Sequence, residues 1–107
     1  MVADNLQGTL DLLILKTLDR EPNHGFGITL HIQTVSGGLL RVEEGSLYPA
    51  LHRLERDGLI SGEWRITENS RRARYYKLAA AGRKQLAKAE DNWVALSKGI
   101  GKILKYV

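Results

Sequence analysis

Leu10, Leu12, Leu13, Ile14, Leu15 and Leu18 crowd residues 6–20 with apolar side chains on nearly every side. This predicts a helix buried on more than one face. The Glu21-Pro22-Asn23 turn ends it, because proline cannot continue a helix. A second helix is expected over residues 24–36, with Ile28, Ile32 and Val35 on its inward stripe. Gly37-Gly38 closes it, since glycine accepts the positive φ of a helix C-terminus. Leu39-Leu40-Arg41-Val42 then reads as a short extended link, a stub of strand.

Leu47, Leu51 and Leu54, spaced by 4 and 3, mark the inward stripe of a third helix over residues 45–57 that stops at Gly58. The opposite stripe holds Ser46, Pro49, Arg53 and Arg56, flanked by Tyr48 and His52. Pro49 lacks an N–H and belongs near a first turn, so the helix should start no earlier than Glu44. Residues 59–66 and 72–78 read as two strands around the turn-prone Thr67-Glu68-Asn69-Ser70-Arg71, a β-hairpin. Residues 80–106 form one long helix. Along it Gly82, Leu86, Ala89, Trp93, Leu96, Ile100, Ile103 and Val107 alternate spacings of 4 and 3, a sustained heptad seam. A helix projecting from a small domain has no core for such a seam, so a second copy is the expected partner and the protein a homodimer. Packing within the chain is the alternative.

The fold class is therefore mainly α with a small β-hairpin: a winged helix-turn-helix over residues 1–79 and a dimerisation helix over 80–107, one compact unit. A chain of 107 residues with 43% hydrophobic and 26% charged positions suits one soluble domain with little volume for a deep catalytic cavity. No cysteine is present, which removes disulfides, thiol catalysis and thiolate metal sites together. No aliphatic run exceeds four residues, as at Leu12 to Leu15, so no membrane span is expected, and the start lacks the basic region of a signal peptide. A cytoplasmic location follows as an expectation.

The net charge of +4 is unevenly placed: residues 1–53 hold 4 Lys+Arg and 6 Asp+Glu, residues 54–107 hold 12 and 6. A mildly acidic half beside a clearly basic one fits a polyanionic partner, and equally a solvated basic surface. The third helix could enter a major groove about 12 Å wide with Ser46, Pro49 and Arg53 toward base edges. Arg65, Arg71, Arg72 and Arg74 cluster on the hairpin, where guanidinium groups suit phosphate or a narrow minor groove, or simply protect a sheet edge. Glu43 and Glu44 oppose close phosphate approach but suit the positive end of a helix. His24 and His31 are seven apart on one helix, too distant to share an ion, so no metal and no cofactor is expected. No phosphate loop or nucleophile elbow appears, and an enzyme is not expected. A small helical dimerisation module that binds a protein partner is the alternative function.

Three blocks carry a further signal: Gly8-Thr9-Leu10-Asp11-Leu12-Leu13-Ile14-Leu15, His24-Gly25-Phe26-Gly27-Ile28, and Gly45-Ser46-Leu47-Tyr48-Pro49-Ala50-Leu51-His52-Arg53-Leu54-Glu55. With Trp64, Asn69, Arg71-Arg72-Ala73, Tyr75-Tyr76-Lys77-Leu78 and Gly82 they resemble the PadR family of bacterial transcriptional regulators, in its small subclass with a single C-terminal helix. The resemblance implies a homodimeric repressor on double-stranded DNA, bound at an inverted repeat. Ser46, Tyr48, Pro49 and Arg53 match its recognition helix, and Asn69, Arg71, Arg72 and Arg74 its wing. Tyr48 would meet phosphate or a base edge, or else pack on the wing strands. Some members stack a small aromatic effector on a tryptophan between the long helices. Trp93 stands at that place in the seam of Leu86, Ala89, Trp93, Leu96, Ile100 and Ile103, where it serves either the effector or the dimer core. Phe26 and Gly27 depart from the family's usual Tyr and acidic residue, and Ala79 from the Thr that commonly caps the last helix.

Overall fold

A computed structural model describes residues 2–105, with side chains from Gly8 onward. The order is α1 (Val2–Arg20), β1 (Asn23–His24), α2 (Gly25–Val35), α3 (Glu44–Arg56), β2 (Ile60–Ile66), β3 (Arg72–Leu78) and α4 (Ala80–Lys105). The first helix thus begins earlier than its apolar pattern suggests. Val107, the last position of the heptad seam, lies outside the described residues, as does Tyr106.

α1 is the spine of the core. Its Ile14, Leu15 and Leu18 are buried against Ile28 and Ile32 of α2 and Leu47, Leu51 and Leu54 of α3. Ile60, Tyr76 and Leu78 of the sheet and Leu86 of α4 close the cluster. Leu10, Leu12 and Leu13 are only partly buried around it, which explains why α1 is apolar nearly all round: several elements converge on it. Val35 departs from the expected stripe and is 71% exposed. It is the last residue of α2, beyond the turns that pack on α1 and α3.

Both glycine stops work as the backbone chemistry requires. Gly37 and Gly58 have φ of 65° and 76°. After α3, Leu59 N–H donates to the Leu54 carbonyl and Gly58 N–H to that of Glu55, each at 3.0 Å. After α2, Gly38 N–H donates to Gln33 at 2.8 Å and Gly37 N–H to Thr34 at 3.1 Å. These are the paired bonds of a Schellman ending. α3 starts at Glu44, so Pro49 falls in the second turn and removes the donor that would meet the Gly45 carbonyl.

Residues 39–42 form no strand. The third strand is instead Asn23–His24, which pairs antiparallel with Tyr76 and Tyr75, giving the sheet order β1-β3-β2. The expected hairpin is present, with Ile66 opposite Arg72, Trp64 opposite Arg74 and Ile60 opposite Leu78. Its turn is closed by Thr67 N–H donating to the Arg71 carbonyl at 2.7 Å, with Ser70 at a φ of 60°.

α4 leaves the sheet at Ala79, whose N–H donates to the Leu59 carbonyl at 3.0 Å. Gly82 lies so close to β2 that a Cβ would run into the Leu59 carbonyl oxygen and reach 2.7 Å from Leu78 Cδ1. Gly82 and Leu86, both buried, therefore belong to the chain's own core. That corrects the seam: Leu86 is not a free dimer position, because the first turns of α4 are needed to cover the sheet. Trp93, Leu96, Ile100 and Ile103 remain exposed. A helix of 26 residues reaches about 39 Å and accounts for the long axis of a molecule measuring 56 × 29 × 23 Å.

Candidate nucleic-acid interface

The amphipathic cut of α3 makes its outer face available. Leu47, Ala50, Leu51 and Leu54 are buried, whereas Ser46, Tyr48, Pro49, His52 and Arg56 are exposed. Ser46 sits in the first turn, its N–H donating to the Glu43 carbonyl at 3.0 Å. The Tyr48 ring leans over Gly25 at the start of α2: a Cβ there would meet the hydroxyl oxygen at 2.7 Å and two ring carbons at 3.0 Å. Glycine at 25 lets the tyrosine lie across the helix junction with its face still 41% exposed.

The start of α2 is held by His24, whose Nδ1 accepts the Gly27 N–H at 3.1 Å. Its ring stacks near Phe26 and meets Tyr75 edge-on at 5.0 Å. β1 thereby fixes the helix-turn-helix to the wing.

Arg53 is placed differently from the other α3 residues. Its two Nη atoms donate to the two carboxylate oxygens of Asp11 at 2.8 and 2.9 Å, a bidentate pair joining α3 to α1. That hydrogen bond, ahead of opposing burial, holds its guanidinium above its ordinary pKa. The geometry commits Arg53 to an intramolecular partner 42 residues away rather than to the open face of α3.

The wing divides likewise. Asn69 and Arg71 stand exposed on the turn, and Arg72 lies over the Trp64 ring with its guanidinium carbon 4.8 Å from the centroid. Arg74 points back: its Nη2 donates to Glu55 of α3 at 2.6 Å, and its guanidinium lies 5.8 Å from Trp64 and 6.0 Å from Tyr76. The hydrogen bond to Glu55 is also what raises its pKa. Arg65 stacks over Tyr75 at 5.1 Å and donates from Nε to Glu63 at 2.8 Å, which lowers the Glu63 pKa.

The residue pattern alone does not mark Asp11, Glu55, Gly25 or Trp64 as site residues. For Trp64 a signal existed: a five-residue turn between Ile66 and Arg72 puts it opposite Arg74. For Asp11 and Glu55 none did, since their partners are set by how α1 and the wing dock on α3.

Beside this face runs a cleft of about 560 Å³ between α1, the end of α3 and α4. Leu12, Leu15, Ala89, Trp93 and Leu96 form its apolar wall, and Asp11, Arg53 and Asp57 its charged end. Among the described residues no group of three His, Asp or Glu side chains converges as a metal site requires, and no helix is long and apolar enough to cross a membrane.

The sequence model of the transcriptional regulator PadR-like family matches residues 14–88. The chain is 44% identical over 63 residues to the transcriptional regulator Rv3488 of Mycobacterium tuberculosis, spanning 59% of this chain and 55% of that relative. A solved transcriptional regulator from Clostridium thermocellum superposes with a TM-score of 0.85 at 29% identity, covering 95% of this chain and 99% of the other. A PadR family transcriptional regulator from Eggerthella lenta superposes with a TM-score of 0.79 at 32% identity, covering 98% and 89%.

Proposed function

This chain belongs to the PadR-like family of transcriptional regulators, and from that premise we propose that it binds double-stranded DNA as a homodimeric repressor. The observation that carries the reading is the exposed first half of α3 set beside a basic wing. Ser46, Tyr48 and Pro49 are solvent-facing, and Arg71 and Arg72 have no acidic partner among the described residues. α3 enters the major groove with Ser46, Tyr48 and Pro49 toward base edges, while Asn69, Arg71 and Arg72 hold the flanking backbone. Arg53 and Arg74 act on DNA indirectly, by fixing α3 to α1 and the wing to α3.

The exposed apolar positions Trp93, Leu96, Ile100 and Ile103 form the dimer seam, which repeats α3 across a two-fold axis for an inverted-repeat operator. Bound there, the dimer blocks access to a promoter. The cleft beside Trp93 has the size of a small-molecule site, between roughly 300 and 1,000 Å³, and takes a small aromatic effector stacked on the indole. Because Asp11 and Arg53 line its charged end, occupancy would loosen the pair that sets α3.

Fluorescence anisotropy of the full chain on duplex from its own upstream region, against a scrambled duplex at about 50 and 200 mM salt, tests the reading. Tight, salt-steep binding that prefers the upstream sequence is expected. Equal and weak binding to both would replace it with a helical dimerisation module for a protein partner.

A further inference from the structure

The chain's net charge resides on one helix. α4 holds six of the sixteen Lys and Arg residues and two of the twelve acidic ones, so its +4 equals that of the whole chain and the rest nets zero. In the rest, four cations pair with an acidic side chain of their own region, Arg53 with Asp11, Arg56 with Asp57, Arg65 with Glu63 and Arg74 with Glu55, while Arg71 and Arg72 of the wing have no acidic partner among the described residues. On α4 no Lys or Arg has an acidic partner among the described residues, and its Glu90 is taken by Lys16 of α1 at 3.3 Å.

Five of these cations share one face. Lys84, Lys88, Lys98, Lys102 and Lys105 are all exposed, and at about 100° per residue they fall in a stripe roughly 100° wide. Leu86, Trp93 and Ile100 lie on the opposite side, toward the core, the cleft and the seam. Asp91 and Ala95 interrupt the stripe, which leaves a pair and a triplet of lysines about 15 Å apart along the axis.

We infer that this outer face of α4 is a second phosphate-binding surface, which holds a duplex segment other than the one met by α3 and the wing. Lysines on flexible stems suit phosphate without reading bases. From Lys84 to Lys105 the stripe runs about 31 Å, close to one turn of a duplex. Its two groups can meet the phosphate rows on either side of a groove about 12 Å wide. A bilayer fits worse, because an interfacial helix inserts its apolar face, and on α4 that face is buried at Leu86 and, on the proposed function, taken up by the dimer seam from Trp93 to Ile103. A dimer would carry two such faces and so could bridge DNA segments. The inference concerns sequence-independent contact and stands apart from base reading by α3.

Three full-length proteins test it on one scrambled duplex: the parent, the quintuple variant K84Q/K88Q/K98Q/K102Q/K105Q, and the wing variant R71A/R72A. Glutamine keeps helix propensity, and circular dichroism and sedimentation confirm fold and assembly. The quintuple variant should bind at least about tenfold more weakly at 50 mM salt, with a log–log salt slope shallower by about two units or more. An immobilised duplex should capture a second, labelled duplex through the parent and not through the quintuple variant. A quintuple variant with the parent's slope, or a parent that captures no second duplex, overturns the inference. So does lysine-dependent flotation with phosphatidylserine vesicles when duplex binding is lysine-independent. If only the wing variant loses binding, the proposed function stands and this inference falls. If only the quintuple variant does, the reverse holds.

Discussion

Arg74 of β3 donates from Nη2 to Oε2 of Glu55, the penultimate residue of α3, across 2.6 Å. The bond joins the wing to α3, and it is one link of a longer chain. The same guanidinium lies over Trp64, and on that indole rests Arg72, nearer the turn. Gly62 makes room for the arrangement, since a Cβ there would come within 2.7 Å of Arg74 Nε. The path Glu55–Arg74–Trp64–Arg72 therefore sets how far the wing tip stands from α3, the distance on which the proposed two-point contact with one duplex depends.

Glu55→Gln tests this path. Both side chains are about a third exposed, so the pair contributes little to stability, and thermal unfolding should hardly move. The wing should lose its fixed angle, weakening binding about threefold to tenfold on all duplexes alike and flattening the salt slope. Unchanged affinity would mean that the wing finds its position without α3.

The pattern of side chains made much of this legible, and where it did not the reason is tertiary. The stripe of Leu47, Leu51 and Leu54, the glycine stops at 37 and 58 and the hairpin all follow from local rules. β1 was not visible because two residues make no strand until Tyr75 and Tyr76 arrive beside them. Arg53 and Arg74 look like any surface arginine on their own elements. Only the docking of α1 and α3 brings Asp11 and Glu55 to them. A heptad cannot say whether its partner is the chain's own sheet or another molecule, and in α4 Gly82 and Leu86 turn out to serve the chain's own core.

Gly25→Ala separates a packing role for Tyr48 from a binding one. The added methyl meets the hydroxyl and two ring carbons of Tyr48, a ring exposed enough to swing out, so the stability cost should stay within the roughly 1–3 kcal/mol of overpacking. If Tyr48 touches DNA from its present position, affinity should drop several-fold in the anisotropy assay. Equal affinity with a displaced ring would assign Tyr48 to packing alone.

Alkaline pH should weaken the fold through Tyr76. Burial, more than the neighbouring Glu55, raises its hydroxyl above the ordinary value of about 10. The folded chain thus holds this proton more tightly than the unfolded chain. Its contribution is complete below pH 10 and is lost as pH climbs through the folded value. Urea midpoints at about pH 8 and about pH 11 should differ for the parent, and Tyr76→Phe should narrow the gap. A gap of the same size in the variant would place the alkaline loss elsewhere.

The two halves of the α4 seam should respond oppositely to substitution. Leu86 is 4% exposed and packed in the core, so Leu86→Ala removes buried volume and should cost about 2–5 kcal/mol in denaturant unfolding. Ile103 is 73% exposed, and nothing in its own chain would miss it. Ile100→Glu with Ile103→Glu should leave the secondary structure intact while sedimentation shifts to a monomer, because burying like charges across a two-fold axis is costly. Binding to an inverted repeat would then collapse toward that of a single half-site, whereas a half-site duplex would be bound as before. A variant that stays dimeric would move the seam to Trp93 and Leu96 near the cleft. A variant that unfolds would show that the distal helix is held by the chain's own core, against the exposure of both isoleucines.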